Sequence, residues 1–85
     1  MGQLVHDLYT PVQSTDPRPL ADQVAEQIRT LIDRGTLRDG DRLPATRELA
    51  SRLGVNRGVL LKAIRALERE GVLHARVGSG ITIVA

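Results

Sequence analysis

Residues 45–71 read ATRELASRLGVNRGVLLKAIRALEREG. Leu49, Ala50 and Leu53 fall on one helical face, as do Leu60, Ala63, Ile64 and Leu67, so the stretch divides into two amphipathic helices. Between them stands Leu53-Gly54-Val55, a tight turn that Gly54 can close. Asn56 is a good cap for the second of these helices, since its side-chain oxygen can accept from a free backbone N–H one turn in. Two helices joined by a short Gly-centred turn form a helix-turn-helix, an arrangement that lays its second helix into a DNA groove.

Working outward, Leu20, Val24, Ile28, Leu31 and Ile32 make a single apolar stripe upstream. A helix is therefore predicted from near Pro19 to Gly35. Thr36 to Pro44 reads as a loop with Asp39-Gly40-Asp41 as its turn, Leu37 and Leu43 tucking its ends into the core. Downstream of Gly71, Val72 to Val77 and Ile81 to Val84 alternate around Gly78-Ser79-Gly80, a β-hairpin signal. The fold class is α+β, mainly α: three helices followed by a β-hairpin wing, a winged helix-turn-helix over residues 19–85. Residues 1–18 carry Pro11, Pro17 and a polar run, and read as an N-terminal arm with room for one short strand near Leu4 to Tyr9.

At 85 residues the chain is one small domain with a core that has to be aliphatic, because Tyr9 is its only aromatic residue. Absence of Cys removes disulfides and thiolate metal sites. No apolar run approaches the roughly 20 residues that span a bilayer, and no signal peptide opens the chain. A soluble cytoplasmic protein is the expectation. The net charge of +2 conceals an asymmetry: residues 1–41 hold four Arg against seven acids, net −3, and residues 42–85 hold eight cations against three Glu, net +5. The positive half contains the helix-turn-helix, the footprint expected for phosphate binding, although a solvated basic face has the same composition.

With Leu60, Ile64 and Leu67 facing inward, the opposite face of the third helix shows Arg57, Gly58, Leu61, Lys62, Arg65 and Arg69. Arg57, at the helix start, is the candidate for base or phosphate contact; a guanidinium can grip guanine O6 and N7 together. Gly58 either lets the helix approach phosphates closely or is merely a poor helix former. Leu61 either packs on thymine methyl groups or is a scattered surface apolar residue. Arg65 and Arg69 either meet the DNA backbone or pair with Glu68 and Glu70. Asn56 is a cap first and a DNA contact second; Arg47, at the exposed start of the second helix, reaches a phosphate or is simply solvated. Arg76 and Gly78 stand at the hairpin tip, whose open backbone can approach phosphates or a minor groove.

His6 and His74 have no neighbouring Cys or paired acids, so neither is expected to bind a metal. Ser14, Ser51 and Ser79 have no base beside them, so no catalytic set and no cofactor are expected. The Gly-x-Gly at Gly78 and Gly80 lacks the context of a nucleotide loop.

Gly35-Thr36-Leu37, Gly40-Asp41-Arg42-Leu43-Pro44, Arg47-Glu48-Leu49-Ala50, Leu53-Gly54-Val55, Leu67-Glu68-Arg69-Glu70-Gly71 and Gly78-Ser79-Gly80 together resemble the N-terminal winged-helix domain of GntR-type bacterial transcription regulators. The resemblance runs from about Pro19 to Val84, and residues 75–80 look most like the MocR-like and YtrA-like branches. It implies double-stranded DNA binding as a homodimer on an inverted-repeat operator, and repression. It places Arg47, Asn56-Arg57 and Gly78 at the DNA.

Two departures stand out against the family pattern. Gly58 and Val59 replace hydroxyl residues, and Leu61 replaces an Arg beside Lys62, so the sequence read should differ from the family norm. Such regulators normally carry a C-terminal effector or dimerisation domain, and that domain is not present in this chain; a fragment and a complete small protein are both open readings. In the latter the arm would carry the dimer contact through Leu4, Val5, Leu8 and Tyr9. The alternative function is a protein-interaction winged helix, with Leu61 and the arm as the partner surface.

Overall fold

The computed structural model describes residues 8–13, 15–76, 78 and 80–85. The expectations placed on Leu4, Val5, His6, Ser14, Val77 and Ser79 lie outside these residues. The order is α1 (Leu20–Asp33), α2 (Thr46–Leu53), α3 (Arg57–Glu70), β1 (Leu73–Arg76) and β2 (Gly80–Ile83), which is the winged helix-turn-helix the patterning indicated.

Each helix is built by its stripe and stopped by its end residue. Val24 and Ile28 of α1, Leu49 and Leu53 of α2, and Leu60 and Leu67 of α3 are fully buried together with Leu73 and Ile83 of the hairpin. Burial of each such side chain contributes about 1.5–3 kcal/mol, which is why an aliphatic core suffices here. α1 packs mainly on α3, and β1 also packs on α3. Pro19 sits just outside α1 with extended backbone, so the helix starts at Leu20. Gly54 ends α2 at φ +70, a left-handed geometry, and a Cβ there would also touch Pro11 at 3.5 Å.

β1 and β2 pair antiparallel, with Leu73 opposite Ile83 and Ala75 opposite Ile81 on the core side. His74 opposite Thr82 and Arg76 opposite Gly80 take the outer side, as the two-residue alternation of a strand requires. The segment predicted as a plain loop does more than turn. Gly40 N–H donates to Ile83 C=O at 2.8 Å, Ile83 N–H to Asp41 C=O at 2.8 Å, and Leu43 N–H to Ile81 C=O at 3.0 Å. Arg42 thereby bridges to Thr82 and widens the hairpin by a short third edge. Leu37 and Leu43 are buried, as their positions suggested.

Residues 8–13 are strapped to the helices. The amide of Gln27 accepts from Thr10 N–H at 2.8 Å and donates to Thr10 C=O at 3.0 Å. Gln23, itself buried, does the same for Gln13 at 3.1 and 3.0 Å and also donates to Arg18 C=O at 3.0 Å. Val12 N–H donates to Leu53 C=O at 3.0 Å, satisfying a carbonyl at the open end of α2. Tyr9 is a core residue and Leu8 packs against the core. Tyr9, one of the arm residues named above for a dimer contact, is therefore packed into the core of this chain. No helix among the described residues is long and apolar enough to cross a membrane.

Candidate nucleic-acid interface

Asn56 has extended backbone and its Oδ1 accepts from Val59 N–H at 2.8 Å, so it caps α3 as the sequence indicated. The first turn of α3 contains no acid. Its unpaired N–H groups and the positive end of the helix dipole therefore stand beside the Arg57 charge with nothing local to offset them. Gly58 follows in an exposed position, and a Cβ built there would meet only Asn56 Oδ1, at 3.4 Å. Lys62, Arg65 and Arg69 continue the exposed face.

Arg57 and Arg47 come together. With Thr46 and Ser51 they line a concavity between the starts of α2 and α3, floored by Ala50 and Val55. On the other side of Arg57 a second depression runs past Leu61 to Arg76, Gly78 and Gly80 of the hairpin. Arg57 and Thr46 border both. The two helices and the wing thus share one continuous surface: of the nine sequence-selected positions, Arg47, Arg57, Leu61, Arg76 and Gly78 line these hollows, and Gly58 and Lys62 lie exposed on α3. Asn56 acts through the cap, and Arg65 stands further along the helix. Leu61 differs from expectation: it is half-buried, because the hairpin folds over that flank of α3.

The acids on these elements are all engaged. Glu48 holds Arg52 at 2.6 Å within α2. Glu68 accepts from Ala75 N–H at 3.3 Å and lies 3.9 Å from His74 Nδ1. Glu70 takes Nε and Nη2 of Arg29 at 2.8 and 2.6 Å, and that hydrogen bonding holds its carboxyl below the ordinary glutamate range. Arg65 and Arg69 consequently do not pair with Glu68 or Glu70. Arg47, Arg57, Lys62, Arg65 and Arg69 make no ion pair among the described residues. Five exposed cations on α2 and α3 without an ion-pair partner among the described residues produce a field that attracts a polyanion.

At the hairpin, Gly78 has φ +83 with open space around its Cα, so a side chain there would be strained rather than crowded. Arg76 Nε donates to His74 Nε2 at 3.1 Å. On the outer face these two join Arg42 and Thr82 around a shallow hollow. Sequence reasoning passed over Arg42 and Thr46. Thr46 carried a usable signal, a hydroxyl opening a helix beside Arg47; Arg42 became visible only once residues 40–43 were seen to pair with β2. Among the described residues no group of His, Asp and Glu is placed to hold a metal ion.

Residues 20–83 match the family described as bacterial regulatory proteins, gntR family. A protein of Escherichia coli strain K12 named for regulation of the L-lactate dehydrogenase operon is 49% identical over 67 residues, covering 79% of this chain and 26% of that protein. The HTH-type transcriptional repressor YtrA of Bacillus subtilis strain 168 is 38% identical over 71 residues, covering 80% of this chain and 55% of YtrA. The chain therefore spans about a quarter of the first relative and about half of the second. Among solved structures, AraR(DBD) in complex with operator ORX1 superposes with a TM-score of 0.82 at 28% identity, covering 89% of this chain and 98% of that one.

Proposed function

The chain belongs to the GntR family of bacterial regulatory proteins, and from that membership we propose that it binds double-stranded DNA sequence-specifically as the winged-helix domain of a cytoplasmic transcription repressor. One observation carries the reading: Arg47 and Arg57 converge on a single concavity while every acid of α2 and α3 is tied to a partner elsewhere. The relatives named above are regulators rather than enzymes, and AraR(DBD) was solved on an operator.

In this reading α3 enters the major groove from its N-terminal end. Arg57 grips a guanine edge or the flanking phosphate, and Gly58 lets the backbone come close. Arg47 takes a phosphate from α2, while Lys62 and Arg65 follow the backbone further along. Asn56 fixes the start of α3 and can share a hydrogen bond with DNA. Arg76 and Gly78 carry the wing to the adjacent backbone or minor groove. The protein acts as a homodimer on an inverted repeat, each copy reading one half-site.

Selection of bound duplexes from a random pool, followed by mobility shifts at several salt concentrations, tests the proposal. An enriched half-site is expected, with log affinity falling by about 0.9 per decade of salt for each phosphate neutralised. Sizing of the complex is expected to give two chains per operator. Absence of duplex affinity at low salt would overturn the reading and leave the surface to a protein partner.

A further inference from the structure

We infer that the depression between α3 and the wing is a reader for the C5-methyl group of thymine, with Leu61 as the contacting side chain. The inference deepens the DNA-binding reading and rests on it. Leu61, Ile64, Ala75 and Ile81 give the hollow an apolar wall, and Arg57 and Arg76 stand on its rim. Ile64 and Ile81 are buried, so only Leu61 and Ala75 of that wall keep exposed surface, and Leu61 is the larger side chain and the one carried by α3.

A cationic rim selects a polyanion, and an apolar wall selects an apolar group on it. The major groove of duplex DNA displays one such group, the thymine methyl; the other base edges there present hydrogen-bond donors and acceptors. Leaving a polar edge against Leu61 would strand it without a partner, so the same wall that favours thymine disfavours cytosine. Distance fixes the register. Arg57 and Leu61 are four residues apart, about 6 Å along the helix. Base pairs are spaced about 3.4 Å apart. The thymine therefore lies within roughly two base pairs of the base that Arg57 reads.

The experiment starts from the half-site selected from a random pool and replaces each thymine in turn by deoxyuridine, which removes the methyl and nothing else. One position, within two base pairs of the Arg57-dependent base, is expected to lose about fourfold in affinity for the unaltered protein. Leu61→Ala is expected to bind the thymine and deoxyuridine duplexes equally, with its slope against salt unchanged. A selected half-site without thymine in that window would overturn the inference. So would equal affinity for all the uracil duplexes, or discrimination that survives in Leu61→Ala. In each of those cases DNA binding itself stands, whereas failure to bind any duplex removes both readings. If Leu61→Ala does not fold, the base replacement on the unaltered protein still decides.

Discussion

Arg29 of α1 clasps Glu70 in the last turn of α3 with two parallel hydrogen bonds of 2.8 and 2.6 Å. The pair is 41 residues apart in sequence and joins the two longest helices. It also commits the Glu70 charge to Arg29 and leaves Arg69 without an ion-pair partner among the described residues.

Arg29→Ala is expected to lower the thermal midpoint slightly at neutral pH, because both side chains are 41% exposed and water screens them. The pair holds the folded-state Glu70 carboxyl below its ordinary value. Its stabilisation is therefore complete above the usual glutamate range, about 4.3, and disappears as pH falls through the folded value. The gap between the two proteins should close in acid. Melting curves recorded down a pH series check this, and a gap that persists at the acid end speaks against the pair as its source.

Gln23→Leu removes the three hydrogen bonds that fasten Gln13 and Arg18 to α1. A cost of about 1–3 kcal/mol in urea unfolding is expected. Proteolysis should reach residues 8–13 faster in the variant. Equal cleavage rates would mean that the strap is held by Tyr9 and Val12 instead.

The helices are legible in the sequence, because their stripes, the Asn56 cap and the closing Gly54 and Gly71 are all local signals. So is the exposed placement of Arg47 and Arg57 at the starts of α2 and α3. What escaped was long-range. Arg42 shows no strand character until β2 lies beside it. Gln23 and Gln27 look like polar surface until a strap runs past them, when each amide serves as a backbone-like donor and acceptor. Glu70 has Arg69 next to it in sequence yet pairs with Arg29, and Leu61 is half-buried only because Ala75 and Ile81 come to rest nearby.

Gly58→Ala should make a more stable protein that binds DNA less well. The added Cβ meets only Asn56 Oδ1, at an ordinary 3.4 Å. Alanine in place of glycine contributes up to about 0.5–1 kcal/mol in a helix. The same methyl would stand between the start of α3 and a phosphate. Urea midpoints and mobility shifts on one preparation check both halves; unchanged affinity would reduce Gly58 to a neutral helix position.

Arg57→Ala should weaken binding to the selected operator by about 1–3 kcal/mol, roughly 5- to 150-fold. Binding to a scrambled duplex should fall far less, since only one phosphate-range charge is lost there. An equal loss on both duplexes would assign Arg57 to the backbone and leave the base reading to other residues.

Tyr9 is the only Phe, Tyr or Trp residue in the protein and it sits where the strap meets the core. Burial pushes its phenol up, Arg52 draws it back and Asp41 adds to the rise. The near-ultraviolet phenol band of this molecule is therefore a report from one address. The stability held by the neutral ring is complete below the ordinary phenol value, about 10, and is lost as alkali carries the pH through the raised folded value. Phenolate absorbance should consequently appear together with detachment of residues 8–13, giving an unlabelled optical gauge of a segment that no other chromophore overlaps.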